Sequence, residues 1–581
     1  MSRILVFSPY ATRPHLTAYE GTIAKACQLR GATVEYVLCD GLLPECDMHW
    51  DSFTYNRSRP LDICDWCQAG AKARMAEYGL PHRWLGNFVT KEDKEIIFAW
   101  AQSLSPTEIP RATYLNLPIG EWVQSTIFSY FRQYPADLSN WRVVNAYRGF
   151  LFSGAVVAIG LRKYLDLHTV DAALLYNGRQ SITRVAFEVL RAAGVRVLTH
   201  EIPFFRSGHV MVKPNARCWS NQPFTEFWRN WGNVPLTRPA LERTMKWLTD
   251  RRYGKNLTWY PYNPSVNSDE TLRKRLNLTG GKKLLALFTS STEETAGDSE
   301  LLGPYESQSD WVEDVVNWVK ERDDADLVIR VHPHLSGKTG LRRAHDELRF
   351  YEEMKAATPR NTRIIMPDEP LNSYSLMDTA DVGLTFGSST GLEMAMLGKP
   401  VVLAARNFYE VGAQIINVRS TESLRQDLEK SLGSFSTREL RREAYRLAYY
   451  YVFEFELPFP LVSVFGVLDV EQNYQGKASL ESGRDKSLDH ICDYLLEAKP
   501  LFDLPTEVER SRSSDEENSF FEWMENTPDC LRARTYERFI PAIKCGGRMW
   551  QSIKRTIRNM PFGVGDSFLK AGRKVYRSFA R

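Results

Sequence analysis

The stretch Leu384–Leu403, LTFGSSTGLEMAMLGKPVVL, has the pattern of a buried strand, a glycine turn and a helix. Its first apolar run ends at Gly387, three hydroxyl residues follow, and a second apolar run begins after the turn LGKP. A parallel strand that enters a helix through such a turn leaves backbone N–H groups unpaired, and the helix dipole favours an anion there. The stretch therefore predicts a phosphate site at Ser388, Ser389 and Thr390. The alternative is an N-cap that binds no ligand.

Strand and helix signals alternate on both sides of this stretch. RILVFSP, TVEYVLC and VRVLTHE are strand-like segments in the N-terminal part, and GGKKLLALFTSST begins a second series. Such alternation is typical of parallel sheets covered by helices. We therefore predict an α/β chain with two Rossmann-like domains that face a cleft. The predicted divisions are an N-terminal Rossmann-like domain at 1–211, an inter-domain crossover at 212–280, a C-terminal Rossmann-like domain at 281–420, closing helices at 421–504, an acidic disordered linker at 505–530 and a basic amphipathic helical tail at 531–581.

Two histidines follow a strand of the second series, in IRVHPHLSGK. Pro333 fixes the backbone and places His332 and His334 at the carboxyl end of that strand, where open α/β sheets bind ligands. Lys338 follows in a glycine-containing loop. Imidazole and ammonium groups can hold a diphosphate, so this pattern also predicts an anion site. A purely structural histidine at a strand end is the alternative.

A third loop, FTSSTEE, repeats the small hydroxyl residues after the first strand of the same series. Loops that follow parallel strands lie at one edge of the sheet, so we expect the three loops to converge. Glu393, in the first turn of its helix, either caps the helix or accepts hydrogen bonds from a ribose. The predicted ligand-binding residues are Ser290, Ser291, Thr292, Arg330, His332, His334, Lys338, Gly387, Ser388, Ser389, Thr390 and Glu393.

These motifs resemble those of a known family. LTFGSSTGLEMAMLGKPVV and RVHPH, together with the N-terminal LLYNGRQSITRVAFEVLRAAGV and the following HE, are similar to the capsule polysaccharide biosynthesis family, over roughly residues 1–450. The resemblance implies a glycosyltransferase of the GT-B architecture, related to sugar-nucleotide epimerases and polyol-phosphate transferases. It implies that the N-terminal domain binds the acceptor and that the C-terminal domain binds a nucleotide-sugar donor. The donor-site residues that it implies are His332, His334, Ser388, Ser389, Thr390 and Glu393.

Glycosyl transfer requires stabilisation of the leaving phosphate and deprotonation of the acceptor hydroxyl. A helix N-terminus, hydroxyls, histidine and lysine can supply the first without a metal, and no Asp-x-Asp follows a strand. We therefore expect an inverting, metal-independent enzyme that requires no cofactor. The base is expected in the N-terminal domain, where His15, Glu20 and Glu201 are candidates. Asn177 and Arg179 are expected to line the cleft.

Four of the nine cysteines lie close together in the sequence. Cys39, Cys46, Cys64 and Cys67 fall within 29 residues and include a CxxC. Thiolates at such spacings can hold a structural zinc ion, with His49 as a substitute ligand. The six residues between the first two are a looser spacing than in typical zinc knuckles. We interpret the four as buried free cysteines, and a zinc site is the alternative.

The charge is distributed unevenly along the chain. The net charge is +3, but residues 531–581 carry +11 and the first 530 residues carry −8. Apolar residues recur at helical spacing among the basic residues of this tail, which predicts a helix that lies on an anionic membrane. Docking on the protein's own surface is the alternative. Nucleic acid is not an expected partner, because no base-reading module accompanies the tail.

We expect a cytoplasmic protein at the inner face of the plasma membrane. No secretory signal opens the sequence, and no apolar stretch reaches the about 20 residues of a spanning helix. The expected activity is transfer of a sugar from a nucleotide-activated donor to a lipid-linked or growing surface or capsular polysaccharide. A polyol-phosphate transferase with a CDP-activated donor is one alternative. A non-catalytic glycan-assembly subunit that keeps the fold is the other.

Overall fold

The computed structural model of the chain describes residues 2–49, 60–203, 207–253, 269–278, 281–292, 295–337, 343–464 and 470–527. The chain divides into two compact units, Met1–Ser514 and Asp515–Arg581. The predicted site residue Lys338 and the basic tail at 531–581 lie outside the described residues.

Two sheets form the centre of the first unit. The strands are β1 (Arg3–Ser8), β2 (Thr33–Leu38), β3 (His82–Trp84), β4 (Ala172–Tyr176), β5 (Arg196–Glu201), β6 (Ser207–Pro214), β7 (Lys283–Phe288), β8 (Ala325–Arg330), β9 (Thr362–Ile365), β10 (Val382–Thr385), β11 (Val401–Leu403), β12 (Ile416–Asn417), β13 (Leu457–Val464) and β14 (Val470–Gln472). One sheet has the order β14-β13-β6-β5-β4-β1-β2-β3, and the other has the order β12-β11-β10-β7-β8-β9.

The described residues form eighteen α-helices. They are α1 (Pro14–Leu29), α2 (Pro60–Tyr78), α3 (Lys91–Ser103), α4 (Ile119–Phe131), α5 (Trp141–Leu167), α6 (Ser181–Ala192), α7 (Gln222–Trp231), α8 (Arg238–Arg252), α9 (Asp269–Leu276), α10 (Gln308–Lys320), α11 (His345–Ala356), α12 (Ser373–Thr379), α13 (Thr390–Met396), α14 (Leu424–Ser431), α15 (Thr437–Tyr449), α16 (Lys486–Glu497), α17 (Glu507–Arg510) and, in the second unit, α18 (Asp515–Asn526). A short π-helix, Tyr450–Phe455, continues α15.

The prediction of two Rossmann-like domains is confirmed. From β5 to β3 the strands of the first sheet are parallel, and all six strands of the second sheet are parallel. Strand β8 is buried along its whole length, as expected for a strand with helices on both faces. The two domains contact each other through an ion pair. Arg217, which follows β6 and lies beside the loop after β4, pairs with Asp298, which follows β7. This is the GT-B arrangement.

Helix α5 forms much of the core of the N-terminal domain. Among the described residues it is the one helix long and apolar enough to cross a membrane, and 78% of its apolar window is buried inside the protein. Phe150, Leu151 and Val156 are completely buried in this core. In this structure α5 is therefore a core helix, and its apolar surface packs against protein.

The segment predicted as closing helices, 421–504, also contains two strands within residues 457–472. Helices α14, α15 and α16 are present, but β13 and β14 join the N-terminal sheet beside β6. Along the start of β13, Leu457, Phe459 and Leu461 are buried whereas Pro458 and Pro460 are exposed, which is the period of two expected of a strand. The two prolines concealed this pattern, because proline is rare within sheets.

The predicted disorder at 505–530 is wrong for the residues that form α17 and α18. Thr506 caps α17, because its hydroxyl accepts a hydrogen bond from the Glu509 N–H. In return, the Glu509 carboxylate accepts one from the Thr506 N–H. In the second unit, Phe520, Phe521 and Met524 are buried on α18. The acidic and serine-rich composition thus concealed apolar residues spaced for one face of a helix.

Candidate functional site

The three strand-end loops of the C-terminal domain converge as predicted. The Ser290 hydroxyl, after β7, donates to the Phe386 carbonyl oxygen after β10 at 2.7 Å. The His332 N–H, after β8, donates to the Thr289 hydroxyl oxygen at 2.9 Å. These two bonds link the loops because the strands are parallel neighbours, with β7 between β8 and β10.

Several of the predicted hydroxyl groups hold these loops together. Ser290 is buried, and its hydroxyl is engaged by Phe386. The Thr292 hydroxyl donates to Glu347 Oε1 at 2.8 Å. Ser291 is completely buried and accepts a hydrogen bond from across the domain interface. Of the three, only Ser291 is joined to a group from the N-terminal domain in the described structure.

The loop after β10 is a tight turn stabilised by its own hydroxyls. Gly387 has a φ of +73°, which favours glycine. The Ser388 hydroxyl accepts from the Thr390 N–H at 3.3 Å and from the Thr390 hydroxyl at 2.8 Å. Ser389 is the N-cap residue of α13, and its side chain makes no capping bond. A Cβ atom at Gly391 would lie 2.3 Å from the Tyr409 hydroxyl, so this turn requires a second glycine.

His332 and His334 lie together at the carboxyl end of β8, with ring centroids 4.7 Å apart. The His334 N–H donates to His332 Nδ1 at 3.3 Å, so the neutral His332 carries its proton on Nε2. Burial, with the positive charges of Arg330 and Arg132, lowers the pKa of His332 to about 4. Burial and Arg132 lower the pKa of His334 to about 4. Both imidazoles are therefore neutral at pH 7.

Arg132 was not predicted from the sequence. It follows α4 in the N-terminal domain, and its Nη2 donates to the Ser291 hydroxyl oxygen at 2.8 Å. The side chain is buried, and its charge acts on both His332 and His334. We name Arg132, Ser291, His332 and His334 the phosphate cradle. No local pattern reveals Arg132, because its partner is 159 residues away.

Arg330 lies at the end of β8, beside the phosphate cradle. It is buried, and its Nη1 donates to the Met366 carbonyl oxygen at 2.7 Å. Burial lowers the pKa of Arg330 to about 10, so it remains positively charged at pH 7. Its charge therefore adds to that of Arg132 around the histidines.

Glu393 differs from the role predicted for it. The carboxylate is buried, with its residue 1% exposed, and Oε1 accepts from Arg251 Nη2 at 2.8 Å and Nε at 3.0 Å. The Tyr374 hydroxyl donates to Oε2. Burial opposes the charge of Arg251, but Glu393 and Tyr374 raise its pKa above the ordinary value. Both carboxylate oxygens are thus engaged by protein groups, so Glu393 links α13 to α8 and does not present a free oxygen to a ribose.

All three candidate bases are buried within the N-terminal domain, and two of them lie on α1. His15 lies on α1 and is 4% exposed. Glu20 is 1% exposed, accepts from the Ser8 hydroxyl, and has Oε1 3.1 Å from His200 Nε2. The Glu20 oxygens thus join α1 to two strands of the sheet, and a role for Glu20 as a base stays a prediction. A substrate hydroxyl could reach neither oxygen without displacing these partners.

Glu201 lies at the carboxyl end of β5, and Asn177 Nδ2 donates to its Oε2. Burial raises its pKa, against the lowering effect of the hydrogen bonds from Asn177, the Ile202 N–H and Tyr176. Asn177 has a φ of +58° and also accepts from the Arg179 N–H at 2.8 Å. Asn177 and Arg179 are themselves buried, so in this structure they support the β4 loop beside Glu201.

Three of the four clustered cysteines each make one contact with a neighbouring group. His49 Nε2 lies 3.4 Å from Cys64 Sγ, Cys67 lies near the Pro9 carbonyl oxygen, and the Gly41 N–H donates to Cys39 Sγ. Among the residues that the structure describes, no group of three or more His, Cys, Asp and Glu side chains is placed to hold a metal ion. The thiols are free and partly buried, and burial raises the pKa of each.

Comparison with known proteins gives a fold-level likeness. No family model and no curated protein matches the sequence. Among solved structures, the chain is similar to KpsC, a beta Kdo 2,4 transferase of Thermosulfurimonas dismutans, at 19% identity and a TM-score of 0.33, over 48% of this chain and 79% of that one. It is similar to Methanocaldococcus jannaschii UDP-GlcNAc 2-epimerase at 12% identity and a TM-score of 0.26, over 77% and 100%. It is also similar to the spinosyn rhamnosyltransferase SpnG at 13% identity and a TM-score of 0.24, over 77% of this chain and 95% of that one. Likenesses at these values do not extend to activity, and membership of the capsule family stays a prediction.

Proposed function

We propose that this protein transfers a sugar from a nucleotide-activated donor to a glycan acceptor, and that the donor phosphates bind at the phosphate cradle. The observation that carries the proposal is the convergence of two neutral imidazoles, a guanidinium and a hydroxyl at the carboxyl edge of a parallel sheet. The positive charge of Arg132 acts on both histidines, and that of Arg330 acts on His332. Such a group attracts a dianion.

The proposed reaction is a direct displacement at the anomeric carbon. The bond from this carbon to the phosphate oxygen breaks, its electron pair remains on the phosphate, and the acceptor oxygen forms the new bond. His332, with its proton on Nε2, can donate to the departing phosphate oxygen. Glu201 is the proposed base, because it ends β5 and burial raises its pKa. To act, it would have to exchange a hydrogen bond, from Asn177 to Oε2 or from the Ile202 N–H to Oε1, for one from the acceptor hydroxyl.

A panel of nucleotides and nucleotide sugars tests the proposal. A ligand that binds the native state raises Tm by mass action, so the base and sugar that raise it most identify the donor. We expect a nucleoside diphosphate or monophosphate sugar to raise Tm, and the same nucleoside without phosphate to leave it unchanged. If no member of the panel shifts Tm or binds in a direct titration, the proposal is wrong.

Donor binding is expected to take up protons. The two histidines are neutral because burial, with the nearby positive charges, lowers their pKa values to about 4. A phosphate dianion would offset the part of this lowering that comes from Arg132 at both histidines and from Arg330 at His332. Their pKa values then rise on binding, so affinity increases as pH falls from about 7 towards 5. Calorimetry at about pH 5.5, in buffers of different ionisation enthalpy, measures the proton number. His334→Ala should take up fewer protons than the wild type, and an equal number in both would contradict the expectation.

We also propose that the acceptor is lipid-linked and that the tail at 531–581 holds the protein at the inner face of the plasma membrane. The net charge of +11 on this segment supports the proposal. Removing residues 531–581 should abolish co-sedimentation with vesicles that contain phosphatidylserine. Neutral phosphatidylcholine vesicles are the control, because they should bind neither form strongly. Undiminished binding of the shortened chain to the anionic vesicles would contradict the proposal.

A further inference from the structure

Arg132 joins the end of a helix of the N-terminal domain to the C-terminal domain. It is the residue that ends α4, with a φ of +52° in the left-handed region that disfavours a side chain. Its side chain is 6% exposed and extends into the other domain, where Nη2 contacts Ser291.

The surroundings of Arg132 are those of an anion site. Burial and the charge of Arg132 both lower the pKa of His332 and of His334, and Arg330 adds a second positive charge that acts on His332. Next to the cradle, the Gln133 side chain donates to Asp346 Oδ2 at 2.7 Å, which gives the two domains a second contact at this point. The guanidinium therefore lies beside the loop after β7, bonded to Ser291, where Gln133 and Asp346 also join the two domains.

We infer that Arg132 is a phosphate-binding residue, supplied by the N-terminal domain to the donor site of the C-terminal domain. The inference rests on the proposed function. A planar guanidinium can bind two phosphate oxygens at once. As the bond from sugar to phosphate breaks, its electron pair stays on the phosphate, and Arg132 stabilises that added charge. The donor site is thus complete only when the two domains are in contact.

Binding of inorganic pyrophosphate tests the inference without knowledge of the base or sugar. Titration calorimetry compares the wild type with Arg132→Gln, Arg132→Lys and the control Arg142→Gln, which changes an exposed arginine at the start of α5. We expect Arg132→Gln to weaken binding at least about tenfold, Arg132→Lys to weaken it less, and Arg142→Gln to leave it unchanged. Arg132→Ala should regain part of its affinity when guanidinium ion is added, which loss of a structural contact alone would not produce.

A second readout comes from the histidines in the free protein. Arg132→Gln should raise the pKa of His334 and His332, measured by NMR on labelled imidazoles, whereas Arg142→Gln should not. If Arg132→Gln binds pyrophosphate as tightly as the wild type while His334→Ala loses binding, the inference is wrong and the proposed function stands. If the wild type binds neither pyrophosphate nor any nucleotide, both are wrong.

Discussion

Replacing Glu393 with alanine is expected to lower the free energy of unfolding by about 3–5 kcal/mol, the usual cost of removing one partner from a buried ion pair. The carboxylate is 1% exposed and accepts two hydrogen bonds from Arg251 and one from Tyr374. Its removal leaves the Arg251 guanidinium, whose side chain is 16% exposed, without this carboxylate. Denaturant unfolding of the wild type and the variant measures the difference.

A double-mutant cycle separates this structural role from a ligand-binding role. Arg251→Met combined with Glu393→Ala removes both charges, so the double variant should be more stable than the sum of the single changes predicts. The sequence suggested instead that Glu393 contacts a ribose. If Glu393→Ala changed the free energy of unfolding by less than about 1 kcal/mol and selectively weakened nucleotide binding, a contact between Glu393 and a ribose would be supported instead.

Replacing His332 with alanine is expected to reduce kcat for sugar transfer by about 10²–10³, the usual loss when one donor to a developing negative charge is removed. The reason is geometric, since the His334 N–H donates to Nδ1 and leaves the proton of the neutral ring on Nε2. His334→Ala should lose activity too, because it removes one of the two imidazoles of the phosphate cradle. Initial rates with the donor identified by the nucleotide panel measure both effects.

The control for these variants is His82→Ala, which changes an exposed histidine on β3, at the far edge of the N-terminal sheet. It should keep the wild-type rate. His332→Ala should also keep the wild-type Tm within a few degrees, since a half-buried side chain at a loop makes few packing contacts. A His332→Ala enzyme with wild-type kcat would show that this imidazole does not act on the leaving group.

The sequence predicted the parallel strands of both sheets and the convergence of the three loops. Strand-turn-helix patterns imply parallel strands, and the carboxyl ends of parallel strands share one edge of the sheet. The contacts of Ser290 with Phe386 and of His332 with Thr289 follow directly from that geometry. The hydroxyl and histidine loops could therefore be assigned to one site without any knowledge of distant contacts.

The partners of these residues could not be predicted, because they come from distant parts of the chain. Arg132 reaches Ser291 across 159 positions, and Arg251 reaches Glu393 across 142. Local pattern marked Glu393 as a first-turn residue of a helix but gave no sign of a buried arginine opposite it. The return of β13 to the N-terminal sheet was concealed for a different reason, since its prolines interrupt an otherwise regular alternation.

Equilibrium binding of the selected nucleoside diphosphate and of its nucleoside tests the central claim most directly. With the wild type, the diphosphate should bind and the nucleoside should bind at least about tenfold more weakly, because the cradle recognises phosphate. His332→Ala combined with His334→Ala should remove most of this preference, whereas His82→Ala should retain it. Equal affinity of the wild type for the diphosphate and the nucleoside, or an unchanged preference in the double variant, would contradict the claim that the cradle binds the donor phosphates.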